Sequence, residues 1–204
     1  MQKKNESASG GTHKADPLVL KAAKGDRAAF HRLVNQYRGS VYRMVYYRIR
    51  SKVDAEDLTQ DVFFTAYRNL SGLKDPRWFK SWLYRIALNR VRDFVRKKMF
   101  LGFFRNYDNL DNVIEDHSDR HTLPEAEITM ERKVFWETIE IILAKMSKME
   151  REVFMLRFFD QMGIAVIAQT LKKGESTVKT HLYRAIEKFR KNPVAIKLME
   201  EMIL

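Results

Sequence analysis

An all-α fold of two small helical domains joined by an acidic linker is what this sequence predicts, on three observations. Only four prolines and eight glycines occur in 204 residues, so long stretches lack the residues that break helices. Apolar residues recur at steps of three and four along most of the chain, and no run alternates at the period of two that a half-buried strand needs. Between the two periodic stretches, Asp108 to Glu127 holds seven acids and one base, a net of −6, with Pro124 inside it, in a chain of formal charge +12.

Hydrophobic residues at 45% and charged ones at 31% place the chain among folded proteins rather than disordered ones. The positive charge points to an anionic partner, nucleic acid first and a membrane surface second. Without cysteine there are no disulfides and no thiolate metal sites, which fits a reducing cytoplasm. The five histidines have no ligand-like spacing, and no metal or other cofactor is expected. Residues 1–14 are polar and include Gly10 and Gly11. They read as a disordered tail rather than a signal peptide, and no apolar run reaches the ~18 residues of a membrane span, so no membrane insertion is expected.

In order, the first helix carries Leu18, Ala22 and Ala23, and the second runs from Asp26 through Phe30, Leu33, Val34, Tyr37, Val41 and Val45. A third begins near Asp54 and a fourth extends from Trp78 to Lys98. These make an N-terminal domain over 15–100, followed by a linker over 101–128 whose simplest role is a solvated spacer. Helical pattern resumes near Ile128 and continues through Val134, Phe135, Ile139, Ile142, Leu143 and Met146. Three shorter segments follow, Glu150–Phe159, Ile164–Leu171 and Ser176–Lys191, in a C-terminal domain over 129–192. A tail over 193–204 starts at Pro193, and no internal repeat is present.

Ile164–Leu171, the turn Lys172-Lys173-Gly174 and the helix after it fit helix-turn-helix geometry, in which the second helix enters the DNA major groove. An advance of about 100° per residue puts Val178, Leu182, Ala185 and Phe189 on one buried stripe. Ser176, Thr180, Tyr183 and Arg184 point away from it, flanked by Thr177, Lys179 and His181. Hydroxyls position phosphates, and arginine grips guanine through two hydrogen bonds. From Lys172 to Lys191 seven bases face two acids. A solvated basic helix packed on its neighbours has the same pattern.

The Trp78–Lys98 helix has two faces. Leu83, Tyr84, Ala87, Leu88, Val91, Phe94 and Val95 form an arc that calls for burial. Trp78, Trp82, Arg85, Asn89, Arg92 and Arg96 line up on the other side, two indoles among guanidiniums and an amide. Nine bases oppose two acids from Ser71 to Lys98. Stacking contributes roughly 1–3 kcal/mol per unpaired base, so single-stranded DNA is the natural ligand. The competing reading makes the two tryptophans core anchors.

On the third helix Leu58, Val62, Phe63, Ala66 and Leu70 face the core, while Asp54, Asp57 and Asp61 share the other side with Gln60 and Phe64. First-turn acids suit the helix dipole. An aromatic at the edge of an acidic stripe suits a surface that docks a basic protein. A metal at Asp57 and Asp61 is the weaker alternative, because one helix face offers too few oxygens. No nucleophile stands beside a base, and no glycine loop cradles phosphate, so the chain is not expected to be an enzyme.

In these segments the sequence resembles the extracytoplasmic-function group of bacterial sigma factors. Asp54-Ala55-Glu56-Asp57-Leu58-Thr59-Gln60-Asp61-Val62-Phe63 is similar to that family's polymerase-docking segment, and Phe79-Lys80-Ser81-Trp82-Leu83-Tyr84-Arg85-Ile86-Ala87-Leu88-Asn89 to its promoter-melting segment. Glu150–Phe158 and Thr177–Ala185 resemble the start and the recognition helix of its C-terminal domain. The resemblance implies that Asp54, Asp57, Gln60, Asp61 and Phe64 meet the clamp helices of core RNA polymerase. It gives Trp78, Trp82, Asn89 and the neighbouring arginines to the melted minus-ten strand of promoter DNA, along with the loop Ser71 to Arg77. Ser176, Thr177, Lys179, Thr180, Tyr183 and Arg184 then read the minus-thirty-five element, the linker threads the polymerase, and an anti-sigma factor covers these faces. A stand-alone helix-turn-helix regulator is the alternative, and a metal-dependent nucleic-acid-processing enzyme a further one. One departure stands out: Gly163-Ile164-Ala165-Val166 opens its helix without the family's serine cap and glutamates, leaving excess apolar surface.

Overall fold

The computed structural model describes residues 15–108 and 138–191, and side chains within 15–100 and 138–191. Among these residues every regular element is helical. α1 (Pro17–Ala23) starts where the Asp16 carboxylate accepts from the Leu18 amide at 2.8 Å, with Pro17 in a first turn where its missing N–H costs nothing. Asp26 caps α2 (Arg27–Ile49) in the same way, accepting from the Ala29 amide at 2.9 Å. α2 stops where Arg50 takes left-handed backbone at φ 57°. Ser51 then caps α3 (Lys52–Asn69) through the Asp54 amide at 3.3 Å. Two 3-10 turns, Leu70–Gly72 and Pro76–Trp78, lead into α4 (Phe79–Asp108).

Leu33, Val41, Met44 and Val45 of α2, Ala55, Val62 and Ala66 of α3, and Leu83 and Ala87 of α4 are completely buried. The alanines let the backbones approach closely, so α2, α3 and α4 pack pairwise. Two sequence expectations need correction. α4 runs ten residues past Lys98 to Asp108, into the stretch assigned to the linker, because 99–107 contains no proline and a single glycine at Gly102. The expected apolar arc is buried only as far as Val91, with Phe94 half-buried and Val95 39% exposed.

The C-terminal unit comprises a helical stretch over 138–144 (α5), α6 (Lys148–Phe158), α7 (Ile164–Leu171) and α8 (Glu175–Arg190). α6 opens with a capping box: Ser147 Oγ accepts from the Glu150 amide at 3.3 Å, and Glu150 Oε2 accepts from the Ser147 amide at 2.8 Å. The same carboxylate oxygen receives Lys188 Nζ at 2.6 Å, tying α6 to α8. The Lys188 ammonium, then the Ser147 amide, hold the buried Glu150 carboxyl below its ordinary value. A carboxyl whose folded pKa is lowered gives stability only while ionised. Glu150→Gln therefore lowers stability near neutrality by about 1 kcal/mol, less than a fully buried charged hydrogen bond contributes, because Lys188 is 39% exposed and solvent screens the pair. The deficit against the parent closes as pH falls from 4.5 through the depressed native value, as urea titrations at several pH values will show.

α7 begins at Gly163 with no side-chain cap, as its sequence indicates, and ends at Lys172 in left-handed backbone, φ 53°. The left-handed position of the turn thus falls on Lys172, while Gly174 sits at φ −69° as the N-cap of α8. α5, α6 and α8 enclose a small core in which the Phe154 and Phe189 rings stack at 5.1 Å. The two units also pack on each other. Val153, Leu156, Met162, Ile167, Ala168 and Val178 belong to the same continuous core as α1–α4, and α7 lies along α4. Beside this contact Arg48 of α2 donates to Glu152 Oε1 at 2.9 Å and Asp160 Oδ2 at 3.0 Å, with side-chain exposures of 6%, 17% and 2%. No helix among the described residues is long and apolar enough to cross a membrane.

Candidate nucleic-acid interface

α2 and α3 leave an open groove of about 570 Å³ between them. Its apolar lining is Phe30, Val34, Phe63, Phe64 and Tyr67, and Glu56, Asp57 and Gln60 stand along it with Arg38 and Tyr42. Phe64 is 58% exposed, with the Arg68 guanidinium 4.7 Å from its ring centroid. Phe30 and Tyr67 meet edge to face at 5.0 Å. The sequence-predicted residues Asp57, Gln60 and Phe64 share this groove. Asp61 is exposed outside its lining, and Asp54 is half-buried in the first turn of α3.

Of the predicted base-contacting ridge, Asn89, Arg92 and Arg96 are exposed along α4. Trp78 belongs to the preceding 3-10 turn rather than to the helix, because Pro76 starts a separate turn capped by Asp75. Trp78 and Trp82 are both half-buried, and Trp82 lies against Phe79 with ring centroids 5.9 Å apart. Each indole thus has part of its surface in the fold and part available. Arg85 departs from the expected open ridge: it donates Nε to the Thr170 carbonyl at 3.1 Å and Nη2 to that of Gln169. Burial there pulls its guanidinium below the ordinary value. Its acceptors are backbone atoms, which carry no sequence signal.

α8 keeps the stripe its periodicity implies, with Val178, Ala185 and Phe189 buried and Leu182 half-buried. On the opposite side Ser176, Thr177, Lys179, Thr180, Tyr183 and Arg184 are all exposed, Tyr183 at 74%. Thr180 Oγ1 donates to the Ser176 carbonyl at 3.0 Å, which leaves its lone pairs outward. Gly174 supplies no side-chain acceptor to the first turn of α8, so that end presents amides of the kind that hold phosphate.

Two family models match the chain: Sigma-70 region 2 over residues 33–101 and Sigma-70 region 4 over residues 137–189. The ECF RNA polymerase sigma factor BldN of Streptomyces coelicolor is 31% identical over 170 residues, 83% of this chain and 62% of that protein. The ECF RNA polymerase sigma factor SigW of Bacillus subtilis is 29% identical over 177 residues, 85% of this chain and 93% of that protein. The solved structure of CnrH in complex with the cytosolic domain of CnrY shares the fold, with a TM-score of 0.62 at 23% identity, covering 90% of this chain and 96% of that one. The two regions lie on the two helical units and together span most of the described residues, so the chain belongs to the extracytoplasmic-function group of RNA polymerase sigma factors, which direct transcription initiation.

Proposed function

We propose that three faces divide the work of initiation, within an N-terminal domain that α4 carries to Asp108 and a C-terminal domain over 129–192, joined by the acidic stretch between them and followed by a tail over 193–204. Asp54, Asp57, Gln60, Asp61 and Phe64 dock on core RNA polymerase. Trp78, Trp82, Arg85, Asn89, Arg92 and Arg96 hold the melted minus-ten strand. Ser176, Thr177, Lys179, Thr180, Tyr183 and Arg184 read the minus-thirty-five duplex. The observation that carries this reading is the uninterrupted exposed row on α8, hydroxyls and cations opposite a buried stripe, on the second helix of a helix-turn-helix.

The chain acts in the cytoplasm and performs no chemistry of its own. Strand opening follows from differential binding: a face that holds unpaired bases better than paired ones shifts the melting equilibrium toward the open form. An anti-sigma factor that covers the acidic groove or the basic ridge would silence it. Mapping transcript starts after mixing the chain with core polymerase and genomic DNA tests the reading. Starts that appear only with the chain, behind a shared pair of upstream elements, support it. Tight sequence-specific binding to duplex in the absence of polymerase, with no effect on starts, would place the chain among stand-alone regulators instead.

A further inference from the structure

α4 leaves the bundle before it ends. Val91 is its last buried residue among those whose side chains are described, and the helix continues to Asp108, about 25 Å further at about 1.5 Å per residue. Phe94 still packs half-buried against the core. Beyond it the described surface is apolar: Val95 is 39% exposed, Met99 72% and Phe100 61%. Val95 and Met99 stand four residues apart, so they lie one above the other on one face, with Phe100 on its flank. The sequence then adds Leu101, Phe103 and Phe104.

Cations surround this strip. From Arg92 to Arg105 there are five bases and one acid. The acid, Asp93, is paired with Arg96 at 3.0 Å. Arg92, Arg96, Lys97 and Lys98 are all exposed. Exposed methionine and phenylalanine among lysines and arginines on one helix suit the boundary between lipid headgroups and acyl chains. Apolar side chains enter beneath the headgroups there, while long basic stems keep their charges level with the phosphates. Two other occupants fit less well. A nucleic-acid strand neutralises the cations and can stack a base on Phe100, but it offers little apolar surface to Val95 and Met99. A second copy of the chain covers the strip only by setting like charges against each other.

We propose that the protruding part of α4 is a peripheral membrane contact: Val95, Met99 and Phe100 enter the interface of an anionic lipid bilayer, and Lys97 and Lys98 meet its phosphates. No described helix is long and apolar enough to cross a bilayer, so α4 lies along the surface. This site goes beyond the promoter reading and touches it in one consequence. Arg92, Arg96 and Met99 follow one another at steps of four and three and share a side of the helix. A chain lying on lipid therefore cannot offer those arginines to DNA, and bilayer and promoter compete for it.

The chain has no native cysteine, so an environment-sensitive dye placed through Val95→Cys reports on this face, with Ile141→Cys on α5, where the parent side chain is 57% exposed, as the reference. On vesicles of equal parts phosphatidylglycerol and phosphatidylcholine the dye at Val95→Cys shifts to the blue and the one at Ile141→Cys does not. Phosphatidylcholine alone gives no shift. In flotation with the same anionic vesicles, Met99→Ser/Phe100→Ser, which leaves every charge in place, binds at least about tenfold more weakly than the parent. Lys97→Gln/Lys98→Gln also binds more weakly. Added to a reconstituted transcription reaction, these vesicles lower starts by the parent and spare the serine variant.

A parent chain that does not float with anionic vesicles overturns the proposal and leaves the promoter reading standing. Equal flotation of the parent and the folded serine variant also overturns it, because the chain then adsorbs by net charge alone. A concentration-dependent dimer lost in the serine variant, without vesicle binding, gives the strip to a second copy. Loss of core-polymerase affinity in that variant, again without vesicle binding, gives it to the polymerase, and either result overturns the lipid contact. Absence of starts before any vesicle is added overturns the promoter reading instead, and the flotation result stands by itself.

Discussion

Phe64→Ala lowers affinity for core RNA polymerase by about 2–4 kcal/mol, roughly 30- to 1,000-fold, while the chain stays folded. The two halves of this expectation come from the same geometry. Phe64 is 58% exposed, so truncating it removes little folded-state packing, and its contact with Arg68 is a surface cation–π pair of about 0.5–1 kcal/mol. Yet it stands in a groove lined with Phe30, Phe63 and Tyr67 and edged by Glu56, Asp57 and Gln60. An aromatic anchor in an apolar groove with acids around it is the arrangement in which interface energy concentrates, the acids steering a basic partner and the ring supplying desolvated area. A binding titration against core polymerase, paired with a urea melt, separates the two effects. Affinity within a factor of two of the parent would remove Phe64 from the docking surface.

Arg48→Met destabilises the chain by about 3–5 kcal/mol, because the buried Asp160 carboxylate and the half-buried Glu152 one lose their shared counter-ion. Asp160 has 2% of its side chain exposed and Glu152 17%, and both bind the same guanidinium. Methionine fills the volume and restores neither hydrogen bond. Burial already pushes the Asp160 carboxyl up from its ordinary value, with Arg48 pulling it down, so removing Arg48 sends it higher. A carboxyl with a raised folded pKa binds its proton more readily in the folded chain than in the unfolded one. The deficit of Arg48→Met is therefore full above that raised value and shrinks as pH falls through it. Urea midpoints near neutrality and in mild acid read both the size and the direction. Arg48→Met/Asp160→Asn should recover part of the loss, since the arginine's benefit depends on the charge it neutralises. An Arg48→Met chain as stable as the parent near neutrality would contradict this.

Periodicity located the helices because apolar steps of three and four are a local property. The α8 stripe of Val178, Ala185 and Phe189 and the α4 residues Leu83, Ala87 and Leu88 are buried where that spacing puts them. The caps at Asp16, Asp26 and Ser51 went unread, although they act on amides two or three residues ahead and so leave a local signal. What was not legible lies between segments. Arg48 finds its carboxylates 104 and 112 positions away, and Arg85 bonds to backbone carbonyls 84 and 85 positions away. A pattern of faces states that a surface is apolar or basic and is silent on what meets it. The length of α4 differs from the expected boundary because the linker was begun at residue 101, whereas the acidic run starts only at Asp108, where the helix ends.

The candidate faces follow the same division. Exposure of Asn89, Arg92 and Arg96 on α4 and of the whole α8 row accords with their positions opposite buried residues. Arg85 occupies the same ridge and is engaged, which no helical wheel distinguishes.

Permanganate reactivity of promoter thymines in complexes of core polymerase with the parent chain and with Trp82→Ala tests the central claim most directly. The account predicts that both chains bring polymerase to the promoter and that the minus-ten thymines become reactive only with the parent, or far more slowly with the variant. Identical footprints in extent and rate would mean that the α4 ridge does not hold the separated strand.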